Sequence, residues 1–85
     1  MQNLKTLVDL LKSKAKKTSE DEDLIEFVKG KYFFGAVKDQ EDFEGITISR
    51  KFEVKYSKRT GFKIIDTIDQ FSEKNLTKIM RYLKN

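Results

Sequence analysis

Residues 46–56 read Ile-Thr-Ile-Ser-Arg-Lys-Phe-Glu-Val-Lys-Tyr, residues 57–61 Ser-Lys-Arg-Thr-Gly, and residues 62–68 Phe-Lys-Ile-Ile-Asp-Thr-Ile. Successive side chains of a strand point to opposite faces. In the first segment the even positions are Ile46, Ile48, Arg50, Phe52, Val54 and Tyr56, and the odd ones are Thr47, Ser49, Lys51, Glu53 and Lys55. That alternation predicts a strand with one apolar and one polar face. The second segment carries Phe62, Ile64, Asp66 and Ile68 at even positions. Matching apolar face to apolar face predicts a long hairpin with a five-residue loop, 57–61. Tyr56 then faces Phe62, Val54 faces Ile64, Phe52 faces Asp66 and Arg50 faces Ile68. Gly61 is the residue expected to supply a positive φ in the loop.

This register makes Arg50 and Asp66 diagonal neighbours on the apolar face, within reach of an ion pair; the other reading of Arg50 is an exposed binding group. It also sets Lys55 against Lys63 on the polar face, with Lys51 two residues along. Like charges directly opposed destabilise a sheet, so the pair calls for a function. Arg50, Lys51, Lys55, Lys58, Arg59 and Lys63 are offset within this stretch only by Glu53.

Composition narrows the field. At 85 residues the chain has the size of a single small domain, with no cysteine to staple it. The absence of Cys and His excludes thiol and imidazole catalysis and most structural zinc sites. No enzyme activity, cofactor or metal is expected. Residues 39–45, Asp-Gln-Glu-Asp-Phe-Glu-Gly, lack the spacing of a calcium loop. The apolar run 7–11 is broken by Asp9 and preceded by one base, Lys5, so neither a signal peptide nor a membrane span is expected, and the expected location is the cytoplasm. The net charge of +4 is modest, but acids gather at 20–26 and 39–44 and bases at 12–17, 50–63 and the C-terminal segment.

The remaining elements follow from spacing. Leu4, Leu7, Val8, Leu11 and Ala15 recur at helical intervals after Asn3, a suitable N-cap. The bases at 12–17 complement the dipole of that helix. Ser19 and Glu22 suit a capping box, and Leu24, Phe27 and Val28 make a short stripe before Gly30, which predicts a second helix over 20–29. The competing reading is a strand over 24–29 that pairs with the next one through Gly30. Residues 32–37, Tyr-Phe-Phe-Gly-Ala-Val, predict a strand. If Tyr32, Phe34 and Ala36 point inward, Phe33 and Val37 point out. Ser72 is a suitable N-cap for a final helix whose stripe is Leu76, Ile79, Met80 and Leu83, with Phe71 as a staple.

The expected architecture is α+β: a three-stranded antiparallel meander with helices packed on one face, in the order α-α-β-β-β-α. The expected core is Leu4, Leu7, Val8, Leu11, Phe27, Ile48, Phe52, Val54, Ile64, Leu76, Ile79, Met80 and Leu83. Helix, three strands and helix in succession resembles the order of double-stranded RNA-binding domains. Residues 72–78 do not reproduce their lysine-rich signature, so the resemblance is one of topology alone.

Two functional readings follow. The first is a non-enzymatic nucleic-acid-binding module of weak sequence preference, in which Lys51, Lys55, Lys58, Arg59 and Lys63 contact phosphates from a basic hairpin face. Arg50, Phe33, Lys74, Lys78 and Arg81 are secondary binding candidates, Phe33 because an exposed aromatic beside lysines can stack on bases. The second is a small inhibitor or adaptor of the kind mobile elements encode, which binds a protein partner through its acidic and aromatic surface. A second copy of the chain is a further candidate partner. Bases together with acids remote favour the first reading; a contiguous acidic face favours the second.

Overall fold

The computed structural model describes residues 3–54 and 59–84. The elements run α1 (Leu4–Lys14), β1 (Lys16–Glu20), β2 (Leu24–Lys29), β3 (Tyr32–Asp39), β4 (Asp42–Val54), β5 (Arg59–Ile68) and α2 (Glu73–Leu83). The five strands form one antiparallel meander in sequence order. The fold is α+β, but the expected three-stranded sheet and second helix are not formed, and the topological likeness to RNA-binding domains goes with them.

The second helix gives way to two strands for a local reason. The amides of Asp23 and Leu24 donate to Asp21 Oδ1 at 2.8 and 2.9 Å, so Asp21, not Ser19, organises the chain, and it closes a turn. Ile25 and Phe27 then alternate inward as β2, which pairs with β3 through a two-residue turn. Gly30 takes the first turn position at φ 60°, where glycine is favoured.

Both helices start as their sequences dictate. Asn3 Oδ1 accepts the Lys5 amide at 3.1 Å, and Ser72 Oγ accepts the Asn75 amide at 3.0 Å. Each lays an apolar stripe on the same face of the sheet: Leu4, Leu7, Val8 and Leu11 from α1, Ile79 and Leu83 from α2. The sheet answers with Ile25, Phe27, Phe34, Ala36, Ile46, Ile48 and Ile68. Phe27 and Phe34 are cross-strand partners, as are Phe34 and Ile48. Phe34 and Ala36 do point inward, and Tyr32 packs at the margin of this core.

The expected core is corrected at its far end. Phe52 and Ile64 are exposed, Leu76 and Met80 are only partly covered, and the side chain of Val54 lies outside the described residues. Ile46 pairs with Ile68 and Ile48 with Asp66, but Ser49 pairs with Ile64, which leaves Ile65 as an extra residue in β5. This bulge reverses the parity of β5. Beyond it Arg50 faces Lys63, Lys51 faces Phe62, and Phe52 faces Gly61. The pairings of Arg50 with Ile68, Phe52 with Asp66, Val54 with Ile64 and Lys55 with Lys63 are therefore not formed, and Tyr56 lies outside the described residues. The expected register assumed one buried face along the whole hairpin. Past Ile48 the core ends, and Phe62 and Ile64 turn to the open side.

Gly61 lies within β5, not in a loop. A Cβ there would stand 2.7 Å from Phe52 Cζ, so the Phe52 ring covers the space that glycine leaves.

Candidate nucleic-acid interface

β3 ends its pairing with β4 at Tyr32–Arg50, yet β4 and β5 continue together to Val54–Arg59. The four further pairs form a two-stranded ribbon of about 13 Å that projects past the sheet. Its root is basic. On the helix side one row runs Lys29, Tyr32, Arg50, Lys63 across four strands. Arg50 and Lys63 are directly opposed and exposed, and neither has an ion-pair partner among the described residues. On the open side Lys51 lies opposite Phe62. Lys31, in the adjoining turn, holds its Nζ 5.5 Å from the Tyr32 ring centroid. Lys16, opposite Val28, begins β1 at this same end.

The sequence-predicted residues are partly brought together. Lys51 and Lys63 share the ribbon root, but on opposite faces. Arg59 is placed by its pairing with Val54, and Lys55 and Lys58 lie outside the described residues. The Arg50–Asp66 pair is not formed. Asp66 accepts instead from Lys78 Nζ at 3.3 Å and from the Tyr82 hydroxyl at 3.2 Å, so Lys78 ties α2 to β5. Burial, with the Asp66 charge behind it, raises the Tyr82 pKa and keeps that hydroxyl a donor. Lys74 and Arg81 are exposed and line a separate shallow recess of ≈ 270 Å³ on α2. Lys29 and Lys31 were not among the candidates; the Gly30 turn, once read as a hairpin, would have placed them beside Arg50.

Shallow recesses lie at the ribbon root among the described residues. One of ≈ 590 Å³ is lined by Arg50, Lys51, Phe52, Lys63 and Ile65. A second, ≈ 480 Å³, lies among Gly30, Lys31, Phe33, Lys51 and Phe52, and a third, ≈ 400 Å³, among Thr18, Glu26, Phe33, Ser49 and Phe62.

The acids gather at the opposite end of the sheet. The β1–β2 and β3–β4 turns lie there side by side, with the Lys38 amide donating to the Asp23 carbonyl at 2.8 Å. Lys38 Nζ reaches the Asp21 carbonyl at 2.7 Å and Glu20 Oε2 at 3.1 Å, and Lys17 Nζ reaches Glu20 Oε1 at 2.8 Å. These two lysines hold the Glu20 carboxyl at about 2, the Lys17 hydrogen bond first among the causes. Seven residue steps along β3 separate this end from the Arg50 row, about 23 Å.

No known protein family, curated protein or solved structure matches this chain. Among the described residues no helix is long and apolar enough to cross a membrane.

Proposed function

We propose that the chain is a non-enzymatic nucleic-acid-binding protein that grips backbone phosphates at the root of the β4–β5 ribbon. The observation that carries this reading is the Arg50–Lys63 cross-strand pair. Two like charges directly opposed cost on the order of 0.5 kcal/mol, and a polyanion placed between them reverses the sign of that term. Lys29 extends the row and Lys51 continues the positive charge onto the other face. The acidic turns do not oppose this. A separation of about 23 Å exceeds twice the Debye length of about 8 Å at physiological salt. With phosphates as the main contacts, sequence preference is weak, and the cytoplasm is the compartment the reading implies.

The test is fluorescence anisotropy with labelled single-stranded DNA, duplex DNA and duplex RNA at about 50 and 200 mM salt. The unaltered chain should bind with a steep salt dependence. Arg50→Gln/Lys63→Gln should lose about tenfold at the lower salt and flatten the log–log slope by roughly 1.5 to 2, two phosphate contacts' worth. Unchanged affinity and slope in that variant would sink the proposed interface. The reading of the chain as an inhibitor or adaptor draws on the adjacent acidic turns, which could meet a basic protein surface. Absence of nucleic-acid binding even at low salt would turn attention to that end.

A further inference from the structure

Phe33 and Phe62 lie on the sheet face that no helix covers. Their ring centroids are 4.9 Å apart at an interplanar angle of 88°. Phe62 is 60% and Ile64 62% exposed, high values for apolar side chains on a regular strand. The Ile65 bulge puts them there; without it both would have faced the helix side. Cations stand beside the pair: Lys51 directly opposite Phe62, and Lys16 in the same row as Phe33 through Val28. Glu26, an acid of this face, accepts a hydrogen bond from Ser19 Oγ at 3.0 Å. Thr18 and Ser49 bring hydroxyls to the recess between the rings.

We infer that this face is a stacking site for unpaired nucleobases, so that the preferred form of the ligand is a single strand. The inference rests on the ribbon root as a phosphate-binding site and adds to it the part of the ligand that is not phosphate. Lys63 lies on the edge strand β5, so a strand whose phosphates run from Arg50 and Lys63 on the helix side round that edge to Lys51 directs its following bases across the open face. There the exposed face of Phe62 offers a π-surface and the Thr18, Ser49 and Glu26 groups meet a base edge. Duplexes present no free base faces except at their ends, so only a strand with unstacked bases gains from the aromatic pair. A second copy of the chain is the less suitable occupant. Phe62 and Ile64 together expose roughly 200 Å² of apolar side chain, against about 800 Å² per partner in a stable interface.

The experiment uses the full chain with a labelled twelve-nucleotide single strand and a duplex of the same sequence, at about 50 mM salt. Phe62→Ala removes an exposed ring and should not disturb the core. It should weaken single-strand binding by about tenfold while duplex binding changes by less than twofold. Phe62→Trp should restore the affinity. The chain has no native tryptophan, so that variant's emission reports on the ring directly and should be quenched by the single strand but not by the duplex. Equal loss on both ligands, or no loss on either, overturns the stacking site and leaves the ribbon root standing as a phosphate-binding site. Failure of the unaltered chain to bind either ligand overturns both.

Discussion

Arg50 and Lys63 hold opposite positions in a ladder whose neighbouring pairs could have kept them apart. Moving the register by one residue would have separated the charges, but it would also have undone the pairing of Ser49 with Ile64 and of Phe52 with Gly61, over which the Phe52 ring lies. The arrangement therefore exchanges some stability for a concentrated positive charge. Lys63→Glu tests that exchange, because it turns a repulsive cross-strand pair into an attractive one. The variant should unfold at higher denaturant concentration, by about 0.5 to 1 kcal/mol, while its affinity for nucleic acid falls. A denaturation midpoint that stays the same or drops would mean that the pair carries no strain, and the structural reason for assigning it a function would disappear.

At the scale of elements, what could be read in the sequence was whatever local chemistry decides. Asn3 and Ser72 announce their helices because a cap and an apolar stripe are complete within a dozen residues. β1 could not be read this way. Lys16–Glu20 has no apolar face, and all five residues are exposed. It becomes a strand only because β2 offers an edge to pair with, a fact that lies outside its own sequence. Such an edge is also protected, since its lysines and the irregularity between Lys17 and Ser19 discourage pairing with another chain. The Ile65 bulge was hidden for a related reason: it follows from where helix cover stops, and alternation within β4 and β5 does not encode that. The site was therefore only half legible. The cluster of bases was visible, but the face that Lys63 shares with Arg50 was not, nor was the aromatic pair that the bulge creates.

The edge strand has its own testable chemistry in Glu20. Hydrogen bonds and charge from Lys17 and Lys38 lower its carboxyl from an ordinary 4.5 to about 2. Because the folded value lies below the unfolded one, the contribution to stability is complete above about pH 4.5 and fades as the pH falls toward 2. The group is exposed, so its effect on global stability is small and the titration itself is the better readout. A carboxyl-carbon NMR titration should place Glu20 near 2, and Glu20→Gln should remove whatever acid sensitivity of unfolding falls between those limits. A midpoint at 4.5 would show that the two lysines do not hold β1 to β3 in solution.

On the scale of the whole molecule, the meander converts a modest net charge into a dipole. Every second turn falls at the same end of the sheet, so the acidic β1–β2 and β3–β4 turns meet, while the β2–β3 turn and the β4–β5 ribbon carry the bases to the other end of a molecule 48 Å in its longest dimension. Whether the acids influence a ligand at the ribbon depends on distance against screening. Across about 23 Å of water one unscreened pair of charges is worth roughly 0.2 kcal/mol, and several phosphates acting on two acids sum to a few times that. At about 10 mM salt the Debye length of about 30 Å leaves roughly half of this repulsion in place, whereas at about 150 mM it is largely gone. Glu22 and Glu41 are exposed and suit a neutralising pair. Glu22→Gln/Glu41→Gln should therefore tighten nucleic-acid binding by up to about twofold at about 10 mM salt and leave it unchanged at about 150 mM. A gain that persists at the higher salt would mean that the ligand reaches the acidic end directly. A loss at both would mean that the acids, not the ribbon, make the favourable contacts, and the orientation proposed here would be reversed.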